Sequence, residues 1–470
     1  MIYLTIDKNL KTNSIYQQIY EAIKVSILEG RMKPGEKLPS KRILADQLKV
    51  SVNSVMNAYE QLLAEGYIYT TERKGYYVEN ITQFIHKGDL LKNQLPSDLK
   101  ESFMDKEGWL SLSHMTSNIS LFPFKKWLKC QQKAIDIHNR ELSEITHPQG
   151  PYIVRKTICH LIALTRGVIC EPEQIIIGAG TMSLIRQLME MQKNNSVIAM
   201  EDPGYFRMYS LLKNMQFDVH PVKMDAKGID IKEVESSKAN FTFVTPSHQF
   251  PTGKIMPISR RIELLNWSTY SNDRYIVEDD YDSEFKYETD NIPALQSLDR
   301  NQRVIYTGTF SKTMFPGLRI SYMVLPPDIL REYRRYYSDL MPSSNSLNLF
   351  TLHYFIENGE YNRHVKRMNH HYEMKRKILI NELQQRFNND IHIEDVPAGL
   401  HIFAHFKTNK DHDEIEKMAN QAKLEIYSMK RFMLKHKYKE NNSIDLVIGF
   451  ANIQEEKIAE AVNRLYYIIS

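Results

Sequence analysis

Five short runs of β-branched and apolar residues, separated by longer amphipathic stretches, most strongly constrain how this chain of 470 residues can fold. A strand buried on both faces reads as a continuous apolar run, and strands that alternate with helices are typical of a parallel sheet. The pattern therefore predicts a large α/β domain. The runs lie at 174–177, 196–200, 241–244, 275–277 and 304–306. Two further strands, near 401–406 and 445–450, predict a smaller α+β subdomain.

The first 80 residues predict three helices followed by a two-stranded hairpin. Gly30 and Gly66 are placed to end the first and third helices, and Ser40 and Ser51 to cap the second and third. A polar turn at 71–75 joins two aromatic strands, which predicts the wing of a winged helix-turn-helix. The residues expected to face the core are Ile43, Leu44 and Leu48 of the second helix, and Val55, Ala58, Tyr59, Leu62 and Leu63 of the third.

From 81 to 107 the apolar pattern weakens, and charges mix with Asn, Ser and Pro. Such composition predicts a linker. We therefore expect a winged helix-turn-helix domain at 1–80 and a second domain at 108–470.

Composition excludes several classes of protein. The 61 Lys and Arg nearly balance 57 Asp and Glu, so the net charge of +4 says little about partners. No apolar run reaches the roughly 20 residues that a membrane helix needs, and the start lacks the pattern of a secretory signal. These features predict a cytoplasmic protein. Cys130, Cys159 and Cys170 lack Cys-x-x-Cys spacing, so we expect neither a metal site nor a disulfide framework.

The segment 307–319 holds a set of groups suited to a phosphate-bearing aldehyde. Lys312 offers an amine for a Schiff base, Thr309 and Ser311 offer hydroxyls for phosphate oxygens, and Arg319 offers a guanidinium. An ordinary basic loop is the alternative interpretation.

Other segments fit the same ligand. Asp279, at the end of a predicted strand, is placed to pair with a protonated pyridine nitrogen, and Tyr281 to contact a ring oxygen. Gly180 and Thr181 follow another strand and open a helix, an arrangement that directs backbone N–H groups at a phosphate. Tyr205 is placed to stack on a planar ring, although a packing role in a surface turn is the alternative.

The N-terminal motif 38–67 resembles the winged helix-turn-helix of the GntR family. The resemblance implies a double-stranded DNA operator as partner, with the second helix of the motif in the major groove. Val52 stands where that family usually has Arg directly after the capping serine, so Asn53, Ser54 and Asn57 become the expected base contacts. A solvated basic face is the alternative for the charged positions. The candidate DNA contacts are Lys41, Arg42, Ser51, Asn53, Ser54, Asn57, Arg73 and Lys74.

From Trp109 onward the chain resembles fold-type I, aspartate-aminotransferase-like proteins. The resemblance implies a mostly parallel seven-stranded sheet and pyridoxal 5'-phosphate, joined to Lys312 as its catalytic residue. It also implies that Asp279, Tyr281 and Tyr205 contact the cofactor ring. The groups implied around the phosphate are Gly180, Thr181, Thr309, Ser311 and Arg319.

A GntR-type head on such a body resembles the MocR subfamily, and the segments 147–150, 245–253 and 278–285 resemble its γ-aminobutyrate-responsive, GabR-like members. The resemblance implies that γ-aminobutyrate or a similar amino acid forms an external aldimine with the cofactor. It also implies a homodimer, head-to-tail and domain-swapped.

Two departures from working aminotransferases argue against complete turnover. Phe250 replaces the Asn that bonds the ring oxygen in those enzymes, and the strand at 446–450 has no substrate-binding Arg. Arg207 and Arg431 are therefore the candidate groups for the effector carboxylate, with surface ion pairs as the alternative.

Three other functions stay open at this point. A plain DNA-binding protein whose larger domain is empty would show no cofactor absorbance, and Lys312→Ala would change nothing. An active aminotransferase with a DNA-binding head would release product continuously. A regulator of vitamin B6 synthesis would respond to pyridoxal phosphate alone.

If Arg42 contacts DNA, Arg42→Ala weakens operator binding and flattens its dependence on salt, because one fewer phosphate is neutralised. Binding isotherms at several salt concentrations measure the slope. An unchanged slope would remove Arg42 from the interface.

Overall fold

The computed structural model describes residues 14–81, 95–101, 106–114, 118–192, 195–287, 292–394, 396–435 and 442–470. The chain divides into two compact units, Met1–Asp105 and Lys106–Ser470. Most of the predicted linker at 81–107 lies outside the described residues. Within the described residues, no helix is both long and apolar enough to cross a membrane.

The N-terminal unit contains the predicted three helices and hairpin: α1 Ile15–Leu28, α2 Lys41–Leu48, α3 Val52–Ala64, β1 Ile68–Thr71 and β2 Gly75–Val78. The Ser40 side chain accepts a hydrogen bond from the Ile43 amide, and that of Ser51 from the Ser54 amide at 3.1 Å. Each serine satisfies an N–H group that has no partner inside its helix. Lys49, with φ of 52°, makes the left-handed turn between α2 and α3. The sequence-predicted caps are confirmed.

The core of this unit differs from the prediction at two positions. Leu44, Val55 and Leu62 are buried as expected, but Ile43 is 54% exposed and Leu63 is 38% exposed. Ile43 precedes the buried Leu44, and Leu63 follows the buried Leu62. Successive side chains are rotated by about 100° around a helix axis, so these two point away from the core. The inward stripe is therefore narrower than the run of apolar residues suggests, and the prediction for Ile43 and Leu63 was wrong.

The larger unit is built on a sheet in which β11 is antiparallel to both neighbours, β4 and β10, whereas β10, β9, β8, β5 and β6 run parallel. The order is β4-β11-β10-β9-β8-β5-β6-β7. The eighth strand is a two-residue antiparallel return beside β6, so the mostly parallel sheet of seven strands is confirmed with this small addition. The strands are β4 Ile175–Gly178, β5 Val197–Asp202, β6 Asp218–Asp225, β7 Gly228–Ile229, β8 Phe241–Val244, β9 Tyr275–Asp280, β10 Val304–Thr309 and β11 Ser321–Val324.

Helices cover both faces of this sheet. The side chains of successive strand residues point to opposite faces, and they pack in different apolar clusters. Ile175 and Ile177 pack in the cluster of α4, α5 and α11, whereas Ile176 packs in the cluster of α6, α7 and α10. The helices of this part are α4 Phe124–His138, α5 Tyr152–Arg166, α6 Thr181–Glu190, α7 Phe206–Asn214, α8 Ile231–Ser236, α9 Ile258–Thr269, α10 Pro327–Tyr337 and α11 Ser346–Glu357.

The predicted α+β subdomain is present toward the C terminus. Its antiparallel sheet has the order β12-β13-β15, and a two-residue strand, β14, pairs in parallel with β3 from the start of the unit. One core cluster joins the sheet to the helices. The elements are β3 Leu110–Ser111, α12 Glu360–Phe387, β12 Ile391–Glu394, β13 His401–Lys407, α13 His412–Gln421, β14 Leu424–Glu425, β15 Ser443–Gly449 and α14 Ile458–Ile469.

Leu264→Ala is expected to lower the free energy of unfolding of the larger unit by about 2–5 kcal/mol. Leu264 is fully buried on α9 and packs in the cluster that contains Trp267. Urea unfolding followed by tryptophan fluorescence measures the effect. Ile262→Ala is the matched control, because Ile262 lies on the same helix and is 48% exposed. Equal midpoints for the two variants would contradict this packing.

Candidate functional site

The polar residues singled out in the sequence lie at one edge of the large sheet. Strands β4, β5, β8, β9 and β10 all point their carboxyl ends to this edge, and β11 starts there, since Thr309 pairs with Ser321. Open α/β sheets bind ligands outside the carboxyl ends of their strands. The topology therefore collects groups from distant parts of the chain.

A cavity of about 300 Å³ opens at this edge. Its walls include all nine predicted cofactor residues and Arg207. Arg431 does not line it. Residues of the wall that had no role in the sequence analysis include His114, Thr245, Asp282, Ser321, Leu400 and His401. A larger cavity of about 690 Å³, near Asn240 and Arg335, contains none of the predicted residues.

Lys312 follows β10 and points its amine into this region. Its Nζ donates a hydrogen bond to the backbone carbonyl oxygen of His114 at 2.9 Å. Burial lowers the pKa of Lys312, and the nearby charge of Asp282 opposes that change. A lysine whose neutral form is favoured in this way is suited to attack an aldehyde.

Asp279 lies at the end of β9, and one of its oxygens accepts a hydrogen bond from the Thr307 hydroxyl at 3.0 Å. Burial raises the pKa of Asp279 to about 7, and the charges of Asp280 and Asp282 act in the same direction. A buried carboxylate without a cation is costly. A protonated pyridine nitrogen beside it would supply the missing positive charge.

The groups predicted to hold a phosphate converge at the start of α6. The backbone of Gly180 has a φ of 116°, and a Cβ there would lie 2.2 Å from the Arg319 guanidinium. Only glycine therefore fits beneath Arg319, which also donates to the carbonyl oxygen of Ala179 at 2.9 Å. Thr181 begins the helix, so backbone N–H groups face the same region.

Hydroxyl groups complete this region. The Thr309 hydroxyl accepts hydrogen bonds from the Ser321 hydroxyl at 2.8 Å and from the Ser311 amide at 3.1 Å. The Ser311 hydroxyl oxygen is buried and has no hydrogen-bond partner among the described residues. A buried polar atom without a partner is rare in a folded protein, and a phosphate oxygen would satisfy it. The residues present therefore fit pyridoxal phosphate.

An aromatic wall encloses the ring side of the cavity. The Tyr205 ring lies 5.8 Å from the Phe250 ring in an edge-to-face arrangement, and Phe250 makes a similar contact with Tyr281 at 5.9 Å. The Tyr281 hydroxyl is 3.0 Å from Nδ1 of His248. Phe250 thus gives this wall of the cavity an apolar surface.

Three positive charges surround His114. Burial lowers the pKa of His114 to about 3, and the charges of Lys312, Arg431 and Arg207 act in the same direction. The Arg431 guanidinium lies 4.8 Å from the centre of the Tyr427 ring, whose edge contacts His114 with the centroids 5.1 Å apart. Both arginines therefore lie near His114, but only Arg207 lines the cavity.

In the N-terminal unit, the positions predicted to contact DNA are mostly open to solvent. Arg42, Asn53, Asn57, Arg73 and Lys74 are exposed. The Ser51 and Ser54 hydroxyl oxygens lie 2.8 Å apart, so these two side chains already bond each other at the start of α3. The Lys41 amine lies 5.4 Å from the centre of the Tyr76 ring.

Sequence reasoning missed His114, His248, Asp282 and Ser321. His248 and Asp282 lie inside motifs that were recognised, but their pairing across 34 positions leaves no local signal. His114 has no motif around it, and the structure alone brings its carbonyl oxygen to Lys312.

Two family models match the chain. The aminotransferase class I and II family matches residues 110–465, and the GntR family of bacterial regulatory proteins matches residues 15–78. The first match covers more than half of the chain, and it implies pyridoxal phosphate as the cofactor, as predicted.

Full-length relatives share both parts. The HTH-type transcriptional regulator YdeL of Bacillus subtilis is 36% identical over 453 residues, covering 96% of each chain. The probable rhizopine catabolism regulatory protein MocR of Rhizobium meliloti is 28% identical over 462 residues, covering 96% of this chain and 93% of that protein.

Among solved structures, a kynurenine aminotransferase of Pyrococcus horikoshii matches with a TM-score of 0.68. The identity is 21%, over 77% of this chain and 92% of that chain, and it shows the fold of the larger unit. With the family matches and the cofactor cavity, these findings assign the chain to the MocR-type transcription regulators, in which a GntR-family DNA-binding domain precedes a domain of the aminotransferase class I and II family.

Proposed function

We propose that this regulator senses a primary amine that carries a carboxylate, of which γ-aminobutyrate is the leading candidate. The observation that carries the proposal is that Arg207 and Arg431 lie near His114, beside the cofactor cavity. The strand β15, where working aminotransferases usually carry the arginine that binds the substrate carboxylate, contains no arginine. The charges of Arg207 and Arg431 suit an anionic group held at a distance from Lys312.

The chain holds the cofactor through the groups described above. Asp279 would pair with the ring nitrogen, Arg319 and the hydroxyls around Ser311 would bind the phosphate, and Lys312 would form the covalent link. When bound, pyridoxal phosphate supplies an aldehyde carbon that condenses with primary amines and a ring that withdraws electrons.

The effector is held at both ends. With the cofactor bound, the effector amine would compete with the Lys312 amine for its aldehyde carbon. Burial lowers the pKa of Lys312, so its amine is stable without a charge. Arg207, exposed on α7, and Arg431, exposed after Met429, then bind the carboxylate. Burial lowers the pKa of His114 to about 3, so this side chain stays neutral and adds no charge beside the two arginines.

The same residues explain why we infer signalling rather than steady turnover. Phe250 gives the ring oxygen no hydrogen bond, and β15 lacks the arginine that fixes an enzyme's substrate. An effector held by other arginines presents its carbon atoms in a different pose, so binding is uncoupled from transamination.

Signalling requires that the effector bind one arrangement of the protein better than another. Two DNA half-sites require two N-terminal domains, and a homodimer supplies them. In this proposal the domains are 1–80 and 108–470, joined by the linker at 81–107, and dimerisation is head-to-tail and domain-swapped. The exposed residues of α2, α3 and the wing read the operator.

Titration of the cofactor-loaded protein with γ-aminobutyrate is expected to change its absorbance once, to a stable end point. Arg207→Ala and Arg431→Ala each raise the half-saturating concentration at least about tenfold, since hydrogen bonds to charged groups contribute roughly 1.5–3 kcal/mol. Lys430→Ala is the control, because this exposed cation lies beside Arg431 and pairs with Asp413 at 3.2 Å.

The outcomes separate the alternatives. Continuous release of an aldehyde product would identify an aminotransferase. DNA affinity that responds to pyridoxal phosphate and ignores every amine would identify a sensor of the cofactor. An undiminished response in both arginine variants would refute the proposed carboxylate site.

A further inference from the structure

Two buried polar side chains, His248 and Asp282, lie next to the cofactor-binding residue Tyr281 and have no part in the proposed function. Nδ1 of His248 is 3.0 Å from an oxygen of Asp282 and 3.0 Å from the Tyr281 hydroxyl. His248 and Asp282 are both buried. Tyr281 and Asp282 line the cavity, and His248 does not. The three residues connect the cavity wall to the interior.

The partners of Nδ1 fix where its proton lies. The Asp282 carboxylate accepts hydrogen bonds, so Nδ1 must carry a hydrogen in order to bond it. An Nδ1 that carries a hydrogen has no lone pair left to accept the proton of the Tyr281 hydroxyl. The Tyr281 oxygen therefore serves as an acceptor on this side, and its own proton is free to point elsewhere.

The packing holds the imidazole in this orientation. A Cβ on Gly399 would lie 2.0 Å from Cε1 of His248, and one on Gly253 would lie 3.2 Å from Nε2. The His401 ring lies beside it, tilted by 45° with the centroids 4.8 Å apart, and Nε2 of His401 bonds the Pro251 carbonyl oxygen at 3.0 Å. These contacts limit how far the His248 ring can shift, and the bond to Asp282 favours the orientation that places Nδ1 beside the carboxylate.

Among the described residues, the Tyr281 hydroxyl has no hydrogen-bond partner other than His248. Since Tyr281 lines the cavity, the direction left for its proton is toward the space that the cofactor ring fills. The ring oxygen of the cofactor is an acceptor at that place.

We propose that His248, held by Asp282, is a positioning residue that turns the Tyr281 hydroxyl proton into the cavity, where it donates to the ring oxygen of the bound cofactor. It compensates for the amide that Phe250 has replaced. A donor to that oxygen stabilises negative charge there, and so favours loss of the proton held at the linked Lys312 nitrogen.

Other charged groups surround these residues and must be considered in any titration. Asp279, Asp280, Asp282 and Glu201 face Tyr281, and together with burial they raise its pKa. Asp282 also faces Lys312 directly, where its negative charge favours the protonated amine. The remaining neighbours are His114 and His401.

The test is a spectroscopic pH titration of the cofactor-loaded protein, in which the absorbance reports the proton at the Lys312 nitrogen. Tyr281→Phe and His248→Leu each move the midpoint upward, by about one to two pH units. His248→Asn, whose amide can place an N–H near the position of Nδ1, keeps the midpoint near that of the original protein. His405→Leu removes a comparable His–Asp pair, with Nδ1 to Asp445 at 2.6 Å, outside the cavity wall and leaves the midpoint unchanged.

Asp282→Asn and Asp282→Leu together distinguish positioning from simple charge. The amide oxygen that the first change introduces can still accept the hydrogen of Nδ1, so the phenol proton keeps its direction and the lost charge alone lowers the midpoint. Asp282→Leu removes the acceptor as well as the charge, so its midpoint lies above that of Asp282→Asn. If Asp282 acted only through its charge, the two variants would have the same midpoint.

If His248 acts through Tyr281, His248→Leu adds no further shift of the titration midpoint in a Tyr281→Phe background. Equal midpoints in Asp282→Asn and Asp282→Leu, no change in His248→Leu, or additive shifts in the double variant would each overturn the proposal. Urea midpoints of all variants confirm that they are folded.

Discussion

The burial of one amine and one carboxylate at the carboxyl edge of a parallel sheet determines what the larger unit can bind. Lys312 lies three residues after the end of β10, and Asp279 is the next-to-last residue of β9, the strand that pairs in parallel with β10. Burial lowers the pKa of the lysine and raises that of the aspartate to about 7. Both pKa shifts reflect the free-energy cost of burying a charged group. A cofactor with an aldehyde and a basic ring nitrogen would lower that cost at both residues.

Around this pair the chain keeps the cofactor-binding parts of an aminotransferase and changes the parts that handle the substrate. Gly180 leaves room for Arg319, and Ser311 keeps a hydroxyl without a protein partner, so the phosphate region is intact. The residues that differ from the pattern of working aminotransferases are Phe250 and those of β15, which contains no arginine. In the functions proposed above, His248 and Asp282 direct the Tyr281 hydroxyl to the ring oxygen, and arginines from α7 and the turn at 429–432 bind the effector carboxylate.

The sequence predicts those features that depend on local pattern. Apolar runs predict the strands, and Ser40 and Ser51 predict the helix starts, because period and capping act over a few residues. Ile43 shows the limit, since an apolar residue next to the inward stripe looks the same in sequence as one within it. The four-residue β11 and the contact of Lys312 with His114, 198 positions away, arise from chain topology and leave no local trace.

The central claim is that the Lys312 amine carries pyridoxal phosphate. Borohydride reduction of the cofactor-saturated protein, followed by peptide mapping, tests it most directly. The account predicts one stable adduct, on the peptide that contains Lys312, and its loss in Lys312→Ala. Recovery of that peptide unmodified from saturated protein would contradict the account and leave only the DNA-binding domain explained.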